Sequence, residues 1–140
     1  MALVTLFVMN MKFNNPYNPS FEEIEEWAYT PDAIEPEQEW DIIVDWLRYP
    51  DLVLRLASDD TCPSQGYFRH LLYVIVGQTV RGKFSTRKRH EIDVLFDHAR
   101  KYHHPDIQKW KENAANIMKN PDQFEYNDWF SGKLAKYTFS

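Results

Sequence analysis

Residues 63 to 81 read P-S-Q-G-Y-F-R-H-L-L-Y-V-I-V-G-Q-T-V-R, and from Tyr67 to Val80 almost every side chain is apolar or aromatic. With the helical period, Tyr67, Leu71, Val74 and Gln78 share one stripe, while Phe68, Leu72, Ile75, Val76 and Thr79 cover the next. A helix that is apolar around most of its circumference has to be wrapped by other elements. The run is longer than the ~8 residues of an ordinary buried strand. It is shorter than a membrane span of ~20 apolar residues and is interrupted by Arg69, His70 and Gln78. Tyr73 to Val76 has high β propensity, but length and periodicity together predict a central buried helix over about 63–81. Pro63 suits the first turn, where its missing N–H costs nothing. Gly77 costs about 1 kcal/mol against alanine in a helix interior, so a close approach by a neighbouring helix is expected there, or a bend.

Upstream, residues 1–19 read as an N-terminal extension and a loop. The segment 1–9 has no basic leader region and no small-residue cleavage site, and is expected to lie on the body as a strand or short helix. Residues 10–19 are rich in Asn and Pro and read as loop. Ser20 with Glu23 forms a capping box, opening a helix whose apolar stripe is Phe21, Ile24 and Trp27/Ala28 and which Thr30-Pro31 ends. A second helix is predicted over Glu37 to Arg48, with Trp40, Ile43, Val44 and Leu47 inward. Tyr49-Pro50 breaks the chain. Asp51 to Ser58 then makes a short helix with Leu52, Val53 and Leu56 inward, and Asp59 to Thr61 loops into the central helix.

Downstream, a helix from the basic connection to about Tyr102 places Ile92, Leu95, Phe96 and Ala99 inward. His103-His104-Pro105 breaks it, the histidines being read as favourable charges at the helix C-terminus. A further helix runs to about Lys119 on Ile107, Trp110, Ala114, Ile117 and Met118. The aromatic segment Phe124 to Phe130 is expected to pack back on the body, as a short helix. The pair from Thr86 to Lys119, with its H-P-D break, its tryptophan and the small residues Ala114 and Ala115, resembles a HEAT-type helical unit. That resemblance implies a helix-stacking body used for protein binding and brings no catalytic residues. The fold class expected is all-α: residues 1–140 as one domain, with 20–140 a compact helical bundle or short HEAT-like stack around the central helix.

Composition agrees. An aromatic content of 16% argues against disorder. Four glycines are too few for a fold of many tight hairpins. Cys62 is the only cysteine, which excludes an intrachain disulfide and suits a reducing, cytoplasmic location. Its place near the start of the central helix is expected to lower its pKa.

Charge is divided along the chain. Phe21 to Asp60 holds thirteen acids against Arg48 and Arg55, a net of −11, whereas Thr61 onward holds thirteen Lys/Arg against eight acids, a net of +5. Glu37, Asp41 and Asp45 recur every four residues, which on one helix face costs roughly 0.2–0.5 kcal/mol per like-charged pair. Such a row is either a plain solvated face or a surface shaped to meet a basic partner. The candidate partner-binding set is Glu37, Asp41, Asp45, Asp59 and Asp60, with Trp46 or Tyr49 as aromatic anchors. A second candidate is the basic patch of Arg81, Lys83, Arg87, Lys88 and Arg89. It is a solvated loop, a phosphate or RNA contact, or an intramolecular partner for the acidic half. A third is His90, Asp93 and Asp97, which share a helix face and would make half a metal site. His70 reads as a core histidine bonded to a carbonyl or a buried acid.

The chain contains no Walker loop, no G-x-G-x-x-G, no G-x-S-x-G, no H-E-x-x-H and no paired C-x-x-C. The function expected is therefore non-enzymatic protein binding without a cofactor. Its most concrete form is an acidic bacterial immunity-type inhibitor that neutralises a basic toxin or nuclease. A HEAT-like adaptor using the basic loop on RNA or an acidic peptide is the alternative, and a small metal-dependent enzyme a third. The expected partner is a basic protein rather than nucleic acid or a membrane.

Overall fold

The apolar stretch is a helix, Gln65–Arg81, in which twelve of seventeen residues are buried. The computed structural model describes residues 12–82 and 86–138, with the backbone alone for 86–88. Among them, α1 (Phe21–Ala28), α2 (Trp40–Ile43), α3 (Pro50–Ser58), α4 (Gln65–Arg81), α5 (Thr86–Ala99), α6 (Pro105–Lys119) and α7 (Tyr126–Phe130) follow in order, with 3-10 turns at Trp46–Arg48 and Pro121–Gln123. The protein is all-α, 62% helical and without strands among the described residues. The proposed extension at 1–9 lies outside them.

α4 is the axle, touched by α2, α3, α5, α6 and α7. It starts two residues later than Pro63 would allow. Pro63 sits in a preceding turn closed by Gln65 N–H donating to Cys62 C=O at 3.1 Å. α3 lies along α4 with Leu52, Val53, Leu54, Leu56 and Ala57 buried. On another side, the Trp110 indole of α6 donates to the Leu72 carbonyl at 2.9 Å, and Asn113 reaches the Tyr73 hydroxyl at 3.0 Å. A buried indole N–H needs such a partner. α7 crosses at Gly77, where a Cβ would meet the Phe130 ring at 3.1 Å and Trp129 Cβ at 3.2 Å. The glycine is thus explained by close approach, the first of the two options its position raised. One contiguous apolar cluster runs from Ile24 to Ala135.

The capping box on α1 is present in full: Glu23 N–H donates to Ser20 Oγ at 3.1 Å and Ser20 N–H to Glu23 Oε1 at 2.9 Å. The other Glu23 oxygen accepts Asn14 N–H at 2.8 Å, which fastens the entering loop to the helix.

The predicted helix over Glu37 to Arg48 is not formed. Glu39 takes a left-handed backbone (φ 58°), a helix of only four residues follows, and Val44 is extended. The tryptophans supply the reason. Trp40 and Trp46 are both in the core, yet six residues on one helix would separate them by roughly 120° around the axis. Breaking at Val44 rotates Trp46 inward, ring to ring with Trp40 at 4.9 Å. Its indole then donates to the Trp40 carbonyl at 3.3 Å. Ile43, assigned to the inner stripe, is left 42% exposed.

α5 and α6, the pair that resembles a HEAT unit, touch through Phe96 and Trp110, ring centroids 5.4 Å apart. α5 nonetheless lies mainly on α3, and α6 mainly on α4. α5 stops at Ala99 rather than at Tyr102. His104 does not end α5 but opens α6, its Nδ1 accepting Asp106 N–H at 3.1 Å.

Candidate functional site

With the second helix broken, Glu37, Asp41 and Asp45 no longer form a row. Asp41 turns inward: its Oδ2 lies 3.0 Å from Nε2 of His70, which is 0% exposed. Glu37 is half-buried and Asp45 exposed, and no ion pair among the described residues holds either. Trp46, 2% exposed, is part of the core and cannot serve as an anchor. Tyr49 packs partly on the core, under the Arg48 guanidinium at 5.2 Å. Asp59 and Asp60 stay at the surface but are engaged. Asp59 accepts from Thr61 Oγ1 and from the Tyr29 hydroxyl. Asp60 accepts from Gln65 and faces His104 Nε2, each at 2.8 Å.

Two arrangements emerge instead. The first is a polar cluster inside the aromatic end of the molecule. Tyr67 donates its hydroxyl to Glu35 at 3.0 Å. Glu35 is half-buried, and burial first, then the Asp41 charge, pushes its carboxyl above the usual range against the pull of the Tyr67 hydroxyl and the N–H groups of Asp41 and Trp40. Tyr137, from the C-terminal segment, stacks on His70 with centroids 5.7 Å apart and planes at 26°. It fits there because residue 66 is glycine, where a Cβ would come within 2.9 Å of the Tyr137 ring. Beside the cluster a cleft of about 240 Å³ opens between Trp27, Pro31, Asp32, Ala33, Pro63, Ser64, Tyr67 and Tyr137. Sequence reasoning left His70 a carbonyl or a buried acid as partner, and the structure supplies the acid, Asp41. It passed over Glu35 and Tyr137, which sit far from His70 along the chain. The available signal was the pair of polar groups, Tyr67 and His70, within an apolar helix: each needs an acceptor once buried.

The second arrangement is the outer face of α1. Glu22, Glu25, Glu26, Tyr29 and Thr30 line a shallow groove of about 580 Å³. Glu22 and Glu26 are exposed and, among the described residues, in no ion pair, whereas Glu25 pairs with Arg55. Tyr29, the C-cap residue, is an exposed aromatic in the groove, while Phe21, also exposed, lies outside it against Tyr49 with centroids 6.1 Å apart. The hydrogen bond to Asp59 pushes the Tyr29 hydroxyl up to about 12. The Thr61 hydroxyl and then the Tyr29 hydroxyl hold Asp59 below the usual carboxylate range. Of the acids of α1, sequence reasoning singled out Glu23 as half of the capping box, and the even spacing of Glu37, Asp41 and Asp45 drew attention away from the others.

The remaining candidates separate. Arg81 stacks its guanidinium over the Tyr126 ring at 5.1 Å, and Arg89 is exposed on α5. Lys83 and the side chains of Arg87 and Lys88 lie outside the described residues. His90 and Asp93 are exposed, Asp97 pairs with Arg100 at 3.3 Å, and the described residues hold no cluster of three metal-ligating side chains. Cys62 is buried with its thiol toward the Ala28 carbonyl at 3.3 Å. Burial pushes that thiol up, the reverse of the expected helix-terminus effect. Among the described residues no helix is long and apolar enough to cross a membrane. No protein-family model matches the chain, and neither does any curated protein or solved structure.

Proposed function

We propose that this chain is a non-enzymatic binding module that meets a basic protein partner through the acidic and aromatic outer face of α1. The observation that carries the reading is the character of that face. Exposed Glu22 and Glu26 line a shallow groove together with the exposed ring of Tyr29, and Phe21 is exposed at the opposite end of the helix. Aromatic anchors within a field of one charge sign suit recognition of a cationic surface. Asp59 extends the field through its bond to Tyr29. Asp45 and Glu37 supply further negative charge from the broken second segment. An immunity-type inhibitor covering the basic site of a toxin or nuclease is the most concrete form of the reading, and size, acidity and the lack of catalytic motifs support it.

The test is differential capture from a lysate of the native host. Immobilised wild-type protein is compared with the double variant Glu22→Lys, Glu26→Lys, both changes lying on solvent-exposed positions that leave the core intact. The expected result is a basic protein retained by the wild type and lost from the variant. Equal retention of the same proteins by both forms, or retention of acidic ones only, overturns the proposal.

A further inference from the structure

The cleft at the C-terminal end of α1 combines three features. Its walls include three aromatic side chains set at steep angles. Trp27 and Tyr67 lie 5.0 Å apart at 65°, and Tyr67 and Tyr137 lie 6.0 Å apart at 83°. Its surroundings are negative: Asp32 stands on the rim, exposed, and Glu35 lies behind Tyr67, hydrogen-bonded to its hydroxyl. Asp41 lies deeper, on His70. The field of these groups reaches the cleft, since Tyr137 is pushed up by burial and then by the charges of Glu35 and Asp41. Finally, α1 has no basic residue in its last turn, so the negative end of its dipole is not offset by a side chain there. Among the described residues no lysine or arginine lines the cleft.

We infer that this cleft receives one extended cationic side chain, lysine or arginine, from the basic protein partner. The aliphatic stem would lie along Ala33 and Pro63, and the charged head would be held among the aromatic rings with Asp32 and Glu35 supplying countercharge. Aromatic faces attract such a head through their quadrupole, and a carboxylate nearby adds to that attraction. A pocket filled by a single anchor side chain is the usual centre of a tight protein interface. Trp27 of the cleft follows Glu26 of the acidic groove along the same helix. The inference rests on the basic-partner reading for its biological occupant, but the pocket can be tested without the partner.

The experiment is an NMR titration of the full chain with Nα-acetyl-lysine methylamide, Nα-acetyl-arginine methylamide and the uncharged Nα-acetyl-norleucine methylamide, followed at the Trp27 indole N–H and the Tyr137 ring. At least one cationic amide is expected to give saturable shifts at both residues, with norleucine about tenfold weaker or more. Glu35→Gln, which keeps an acceptor for Tyr67, and Tyr137→Ala should each weaken the cationic amide severalfold, with folding checked by circular dichroism. Equal binding of norleucine, an absence of saturable shifts at Trp27, or an unchanged titration in Tyr137→Ala overturns the pocket. Partner capture sensitive to Glu22 and Glu26 alongside a blank titration would leave the binding face standing and remove only the pocket. A positive titration with insensitive capture would do the reverse.

Discussion

Glu35 holds a position that costs the folded state. Its carboxyl is half-buried beside Asp41, and its pKa in the folded protein is raised above the ordinary 4.5. A folded carboxyl with a raised pKa binds its proton more tightly than the unfolded one. Stability therefore falls as pH rises from about the unfolded value through the folded one, and levels off above. Glu35→Gln retains an acceptor for the Tyr67 hydroxyl and removes the charge. Urea unfolding should find the variant more stable than wild type at pH 7, with the difference shrinking toward zero near pH 4. A variant equally or less stable at both pH values would contradict this account of Glu35. The same group of residues marks a limit of sequence reading. That His70 needs a buried partner, a carbonyl or an acid, was legible from its place in an apolar helix. Which one was not, because Asp41 is brought inward by a backbone break that tryptophan packing imposes. Trp46 and Ile43 exchange inside and outside for the same cause. Gly77 was legible as a close approach, though not which side chains it admits.

At the scale of elements, the helices with one clear apolar stripe and local end signals were readable. Ser20 and Glu23 cap α1, Leu52, Val53 and Leu56 bury one side of α3, which takes in Pro50 where the break before it was read, and Ile107, Trp110, Ala114 and Ile117 bury one side of α6. The element that misled had acceptable local periodicity, but its two tryptophans could not share a face, and two large aromatic residues outweigh the propensity of a dozen positions. How elements are tied together was not readable at all. Asp51, in the first turn of α3, gathers His98 at 3.7 Å from the last turn of α5, and Lys101 at 2.8 Å and the Tyr102 hydroxyl at 2.9 Å from the chain that leaves it. The Lys101 ammonium above all, with the Tyr102 hydroxyl, holds Asp51 below its ordinary 3.8 despite partial burial. A depressed carboxylate contributes stability that is present above the unfolded pKa and lost as pH falls through the folded one. Asp51→Asn is expected to cost about 1 kcal/mol at pH 7, discounted for its exposure. Denaturant midpoints should show that cost disappearing toward pH 2. A penalty independent of pH would mean that packing, not charge, sets it.

For the molecule as a whole, the division into an acidic first half and a basic second half was plain in the sequence, but its use was not. Part of the acidic half closes on the second half, through Asp41 with His70, Asp51 with Lys101 and Asp60 with His104. Exposed and, among the described residues, in no ion pair are Glu22 and Glu26 on α1 and, elsewhere in the first half, Asp32, Glu39 and Asp45. A sequence cannot say which carboxylates are taken up internally, because each pairing joins segments far apart along the chain. On the proposed function, the remaining charge steers a basic partner toward α1, and steering acts on encounter rates and is screened by salt. It is tested most directly by the association rate of the captured partner with wild type and with Glu22→Lys, Glu26→Lys, across a series of ionic strengths. Steering predicts a wild-type rate that rises about tenfold or more as salt is lowered, and a much flatter dependence in the variant. Identical rates and identical salt dependence in the two proteins would contradict it.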